Sequence, residues 1–291
     1  FREKMVLRII LHQFFMKILL KSGKIVRYRD IRFGEQRKTM DRRSFLSLAV
    51  VCSSTLAFGA NQKFAPSTVV TNNSSLMVRN LLDKLNTVQN HVGYVQFNTI
   101  SFDEMLKMAV HCNKPLTPYE VGYIETIFYG DPRRYGFYGE RTVPRLTAIT
   151  PKKDLLYIKQ SGHFLLRGAA TEKYTTIKKL IGDELILTSG VRAPVKQLHL
   201  FLKKIVSEGG DLRLASTSIA PPGFTFHSVG DFDIGKVGYG YGNFSTKFQE
   251  TDVFKKLYDG GHIAIRYTKG NPFGVRYEPW HIKVTGGNET A

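Results

Sequence analysis

Two histidines stand in settings suited to chemistry. His227 lies in Pro222-Gly223-Phe224-Thr225-Phe226-His227-Ser228-Val229-Gly230-Asp231-Phe232-Asp233-Ile234-Gly235, and His281 lies in Arg276-Tyr277-Glu278-Pro279-Trp280-His281. Gly230 permits a tight bend after the first histidine. Asp231 and Asp233 follow at alternate positions, so an extended chain turns both to one face. Either can then share a metal with His227. Two imidazoles and one carboxylate fill three positions of a tetrahedral zinc and leave the fourth for water. Zinc lowers the pKa of that water toward about 7 and polarises a peptide carbonyl. A further carboxylate must take the water's proton and pass it to the leaving amine, and Glu278 is the candidate. This imposes a condition on the backbone. Glu278 and His281 are three residues apart, so a regular strand would point them to opposite faces. Pro279 must coincide with a bend or bulge if both serve one site.

Commoner signatures are missing. The chain has no His-Glu-x-x-His helix and no Gly-x-Ser-x-Gly elbow. Gly230 to Lys236 matches the first seven positions of a P-loop. Val237 then stands where the magnesium-binding hydroxyl belongs, and two aspartates sit where phosphate should go. Gly238, Gly240 and Gly242 alternate with Tyr239 and Tyr241 outside any βαβ setting, and read as a mobile or tightly turning rim. Trp280 and Tyr277 either pack the site against water or belong to the core. Arg266, Arg276, His199 and His262 show no spacing that favours substrate contact over a structural role.

Three blocks, in order, resemble the zinc D-alanyl-D-alanine carboxypeptidase family that includes VanY and VanX-type dipeptidases. That family carries Ser-Gly-Tyr-Arg with a Gln five residues after the Arg, then Ser-x-His-x-x-Gly-x-Ala-x-Asp, then Glu-x-Trp-His. Here the first is Ser189-Gly190-Val191-Arg192 with Gln197, the second is the run from Thr225 to Asp233, and the third is Glu278-Pro279-Trp280-His281. The resemblance covers roughly the C-terminal half. It implies that His227, an Asp and His281 bind zinc and that Glu278 is the catalytic base. It implies that Arg192 stabilises the carbonyl oxygen or substrate, a task suited to its fixed fork of donors. It places Gln197 near the substrate carboxylate, and Thr225 keeps the hydroxyl of the family Ser on the substrate side. There are departures. Phe232 replaces the family Ala, and Asp233 lies six residues after His227 where the family Asp lies seven after its His. Asp233 is followed by Ile-Gly, as the family ligand often is by an apolar residue and Gly, so it is the expected third ligand.

The implied reaction is hydrolysis of the terminal peptide bond of peptidoglycan stem peptides. The alternatives are an endopeptidase that cuts cross-links with the same site, and a zinc-stabilised wall-binding module without catalysis.

The elements that must position these residues are partly readable. Leu76, Leu81, Leu82, Leu85 and Val88 recur at helical spacing. Ser101-Phe102-Asp103-Glu104 and Thr117-Pro118-Tyr119-Glu120 are capping-box patterns, the second with Pro at the first helical position and a helix to about Tyr129. Leu185–Thr188 reads as a strand, Val195–Ser207 as a helix, Leu212–Ser216 as a strand, and Thr251–Tyr258 as a short helix. Ile263–Tyr267 and Tyr277–Val284 are strand candidates. The expected fold class is α+β: a small, largely antiparallel sheet with flanking helices around a zinc site, preceded by a helical accessory region. The expected divisions are a basic extension over 1–39, a signal peptide over 40–60, a mainly helical accessory region over 61–150 and a zinc peptidase domain over 151–291.

From Met40 the chain reads as a leader: Arg42 and Arg43, an apolar run from Phe45 to Phe58, and small residues at Ala57 and Gly59. Arg42-Arg43-Ser44-Phe45-Leu46 resembles a twin-arginine export signal, which implies an exported, periplasmic or wall-associated protein. With the leader removed, no membrane-integral domain is expected. The net charge is +18, and residues 1–60 carry 13 Lys/Arg against 4 Asp/Glu. The remainder is still basic, which favours anionic partners such as wall polymers. No nucleic-acid module accompanies it, so nucleic acid is not an expected partner. Cys52 and Cys112 cannot build a disulfide framework, and Cys112 is expected as a buried, inert thiol. Nothing in the sequence fixes the oligomeric state.

Overall fold

The structure is a computed structural model that describes residues 72–284. All described residues belong to one compact unit. The expected extension and leader fall outside the described residues. In chain order the elements are α1 (Asn72–Val92), α2 (Tyr94–Phe97), α3 (Phe102–His111), α4 (Pro118–Tyr129), β1 (Leu155–Ile158), β2 (His163–Leu166), α5 (Ala169–Ile181), β3 (Leu185–Ser189), α6 (Pro194–Ser207), α7 (Leu212–Ser216), β4 (Phe232–Lys236), α8 (Asp252–Tyr258) and β5 (His281–Ile282). This is the expected α+β class. No described helix is long and apolar enough to cross a membrane.

Local signals build the helical part. α1 buries Leu81, Leu85 and Val88 completely, one stripe at helical spacing. Both capping boxes form. The Ser101 and Thr117 hydroxyls accept the backbone N–H of Glu104 and Glu120, and those carboxylates accept in return from the Ser101 and Thr117 N–H. Glu120 also takes an ion pair from Lys84 at 2.7 Å, which ties α4 to α1. These helices pack with α6 and α7 around Phe97, Met105, Phe128, Phe137 and Phe201. One core thus draws on both sides of residue 150.

A second core packs α5 and α8 on a three-stranded antiparallel sheet of order β3-β4-β5, around Leu187, Phe232, Ile234, Phe248 and Ile282. A register shift between Leu187 and Ser189 marks a bulge, which bends the strand and re-aims the side chains beyond it. Ser189 then pairs with Asp233, and Asp233 pairs with His281. Three residues separated by up to 92 positions become neighbours in one row across the sheet.

Some expectations need correction. Leu212–Ser216 is a helix, not a strand: the Asp211 carboxylate caps it, accepting the N–H of Arg213 and Leu214 at 2.8 and 3.0 Å. Leu212 and Ala215 face inward, while Leu214 is exposed. Ile263–Tyr267 contributes only a bridge between Ile265 and Ile282, and Tyr277–Val284 contributes only β5. The chain turns at Pro279–Trp280, where Pro has no N–H to give a ladder. Cys112 is half-buried rather than buried, and it is a free thiol.

Candidate metal centre

The strand row brings the chemistry together. His227 sits in a single 3-10 turn, Phe226–Ser228, whose N-terminus is capped by the Thr225 hydroxyl accepting the His227 N–H at 3.3 Å. Asp233 is on central strand β4 and His281 opens β5. His227 Nε2 lies 3.3 Å from Asp233 Oδ1, and His281 Nδ1 lies 3.2 Å from the same oxygen. All three residues are about 98% buried. Among the described residues this is the group whose ligand atoms converge on one point, all within 4.8 Å of one another.

The far side of each imidazole is already held. His227 Nδ1 donates to the Gly190 carbonyl at 2.9 Å, and His281 Nε2 is 3.1 Å from Asp231 Oδ2. This is how a metal-ligating histidine is normally oriented. Gly190 must be glycine, because a Cβ there would overlap the Phe164 carbonyl. Asp231 is in turn gripped by Arg266 through two bonds, Nε to Oδ2 at 2.7 Å and Nη2 to Oδ1 at 3.0 Å. The Arg192 Nη2 donates to the other oxygen of Asp233 at 2.7 Å.

Whether a metal fits can be judged from the leftover atom. Asp233 Oδ1 is buried and has no hydrogen-bond partner. It faces His227 Nε2, which carries a lone pair when Nδ1 donates to Gly190, and it faces His281 Nδ1. Burial and the Arg192 cation hold His227 down at about 4, so it is neutral at pH 7. The His227 Nε2 and Asp233 Oδ1 lone pairs face each other at 3.3 Å and repel unless a cation lies between them, and an N, N, O donor set, with His281 giving up its Nδ1 proton to the ion, suits zinc. The residues present therefore fit the ion.

Electrostatics divide the labour. Burial opposes charge on His281, but its bond to Asp231 and the Asp233 carboxylate beside it raise it to about 9. Burial likewise opposes charge on both aspartates, yet the His281 and Arg266 bonds bring Asp231 to about 2, and His227, His281 and Arg192 hold Asp233 well below the usual range. Glu278 behaves in the opposite way. Burial, with Asp233 adding to it and His281 partly offsetting it, pushes Glu278 up to about 7. Its Oε2 is 3.8 Å from His281 Nδ1. The bend required by the sequence is present: the His281 N–H closes a turn on the Glu278 carbonyl at 3.1 Å, so both side chains reach one site.

All seven expected residues line one cleft of about 390 Å³: Arg192, Gln197, Thr225, His227, Asp233, Glu278 and His281. Arg192 is anchored by Ser189 Oγ at 2.8 Å as well as by Asp233, and its Nη1 lies 3.4 Å from Gln197 Oε1. Trp280 also lines the cleft and is buried, with the Arg276 guanidinium over its ring at 5.3 Å. Tyr277 packs instead on the second core. Of the residues whose spacing favoured no role, Arg276 and His199 line the cleft, Arg266 serves Asp231, and His262 is exposed. The pairing of Asp231 with Arg266, 35 residues away, had no local signal. The contributions of Gln89, Tyr94, Lys196 and Lys203 to the cleft had none either.

A buried His–His–Asp set, a carboxylate with a raised pKa beside it and a cleft in front define a zinc-binding, metallopeptidase-like site on an α+β fold. Residues 166–287 match the family model described as VanY: D-alanyl-D-alanine carboxypeptidase. The chain is also similar, at 19–26% identity, to solved carboxypeptidase and dipeptidase structures. The LdcB LD-carboxypeptidase is 26% identical with a TM-score of 0.39, over 46% of this chain and 68% of its own. VanYB in complex with D-alanine-D-alanine is 23% identical with a TM-score of 0.38, over 50% and 84%. DacB from Streptococcus pneumoniae D39 is 20% identical with a TM-score of 0.31, over 47% and 84%. A search of curated proteins gave no match.

Proposed function

We propose that this zinc-dependent peptidase is a D-alanyl-D-alanine carboxypeptidase acting on the terminal peptide bond of peptidoglycan stem peptides. The observation that carries the reading is Glu278, buried 3.8 Å from a ligand imidazole with its pKa near neutrality. His227, Asp233 and His281 would hold the zinc, which when bound supplies a Lewis acid that acidifies water and polarises a carbonyl. Glu278 takes the proton of the attacking water and delivers it to the leaving amine; a base titrating close to pH 7 does both well. Arg192 keeps Asp233 oriented with one nitrogen and offers charge to the developing oxyanion from the same fork. Gln197 and Thr225 shape the substrate side of the cleft. Burial of the centre strengthens each of these interactions.

The helices before residue 150 take part as an accessory region of the domain over 151–291, through Gln89 and Tyr94 in the cleft wall. The family likeness and the basic chain both favour an extracytoplasmic role near anionic wall material.

The test is release of D-alanine from stem peptides ending in D-Ala-D-Ala, measured by chromatography with zinc-loaded protein. Glu278→Gln should lower kcat about 10²- to 10⁴-fold while zinc stays bound. Equal turnover by the variant would remove Glu278 from the mechanism. Cleavage confined to cross-linked muropeptides would make the protein an endopeptidase.

A further inference from the structure

The cleft holds a cation that the metal chemistry does not use. Lys196 lies in the first turn of α6, lines the cleft, and is only 5% exposed. Its ammonium meets no carboxylate among the described residues. Nζ donates to the neutral Gln89 Oε1 at 3.3 Å and lies 4.5 Å from the Tyr94 ring centroid and 5.7 Å from that of Phe97. One neutral acceptor and two ring faces compensate an ammonium with three N–H groups only in part. A buried cation left this way is costly until an anion arrives.

The surroundings strengthen the demand. The first turn of α6 contains no acidic residue, and its N-cap, Ala193, has no side chain to accept a bond. The helix dipole therefore adds positive potential where Lys196 sits. Lys203 also lines the cleft and is exposed. The acids lining the cleft are Asp233 and Glu278, and both belong to the metal centre. Gln197, expected beside the substrate carboxylate, has its amide engaged: Nε2 donates to the Ala220 carbonyl at 2.6 Å and Oε1 faces Arg192. It is 1% exposed. Arg192 is itself committed to Asp233, Ser189 and Gln197.

We propose that Lys196 is the specificity-determining anchor for the free C-terminal carboxylate of the peptide substrate, with Lys203 attracting that carboxylate at the cleft mouth. The assignment rests on the carboxypeptidase reading. It explains why a lysine is kept buried against two aromatic rings: a carboxylate entering the cleft replaces weak partners with a charge-assisted bond in a desolvated place.

The experiment uses two N-acetylated peptides ending in D-Ala-D-Ala, one with a free carboxylate and one with a C-terminal amide. Binding is measured by calorimetry on the zinc-loaded Glu278→Gln protein, and turnover on the zinc-loaded wild type. The acid should bind about 10- to 100-fold more tightly than the amide. Lys196→Met and Lys196→Gln should bring the acid down to the level of the amide with zinc content unchanged. Lys196→Arg should keep a preference for the acid, and Lys203→Met should cost less than Lys196→Met. Equal binding of acid and amide by the parent protein, or a preference that survives in both neutral Lys196 variants, overturns the proposal. Turnover reports separately. Binding that depends on Lys196 without hydrolysis of either peptide would sink the hydrolytic reading and leave the anchor standing.

Discussion

The metal-ligand side of the cleft and its cationic side satisfy their polar atoms by different means. On the ligand side, nearly every atom has a partner within the protein: Gly190 and Asp231 hold the imidazoles, Arg266 holds Asp231, and Arg192 holds Asp233. The one atom left over, Asp233 Oδ1, points where an ion belongs. On the cationic side, Lys196 rests against aromatic faces and one amide oxygen. One side presents a bare carboxylate oxygen suited to a metal, and the other an ammonium suited to an anion. A preorganised site differs from a merely buried polar cluster in this way: what remains unsatisfied has the charge opposite to its ligand.

Breaking the ligand side gives the largest effects. Asp233→Ala removes a direct ligand and should abolish stoichiometric zinc binding, measured as metal content after dialysis. Asp231→Asn keeps all three ligands but loosens His281, and zinc affinity should fall about 10- to 100-fold in a competition titration. If Asp231 variants instead lost the ion while Asp233→Ala kept it, the ligand assignment would be reversed.

A smaller effect separates the buried histidines that are not ligands. Burial lowers His163 and His199 to about 4, with Arg192 adding to the first and Lys196 to the second. A folded pKa below the unfolded value of about 6.5 means that the unfolded chain binds protons first. Stability should therefore be intact above about pH 6.5 and decline as pH falls toward 4. At about pH 4.5 each should cost on the order of 2–3 kcal/mol, read from urea midpoints. His199→Gln should flatten part of that decline, and an unchanged slope would remove His199 as a cause.

The smallest effect lies far from the cleft. Thr117→Ala deletes half of one capping box and should cost about 1 kcal/mol, with zinc affinity unchanged. A change in zinc affinity would mean that the helical region and the ligand side are coupled more tightly than their separate cores suggest.

The legible parts of the sequence were those written in neighbouring residues. Capping pairs three residues apart, apolar spacing along α1 and the Glu278–His281 interval each encode a local geometry, and each is present in the fold. The misreading at Leu212–Ser216 came from an alternation of Leu that fits a strand, against which a single Asp211 cap prevailed. The expected strands at Ile263–Tyr267 and Tyr277–Val284 shrank to a bridge and a two-residue pair, because such pairing depends on the partner more than on propensity.

By itself, then, the sequence determined the donor types and their local spacing: two imidazoles, the carboxylates and an arginine, with Pro279 between Glu278 and His281 where a bend is required if both serve one site. Tertiary structure alone decided that Asp233 faces both imidazoles while Asp231 stands behind one of them. The cause is register. Ser189, Asp233 and His281 become neighbours through the pairing of β3, β4 and β5 across a bulge, and pairing between distant segments is set by packing of the whole core. The same holds for Lys196, whose spacing on α6 says nothing of the rings of Tyr94 and Phe97 that a different part of the chain brings against it.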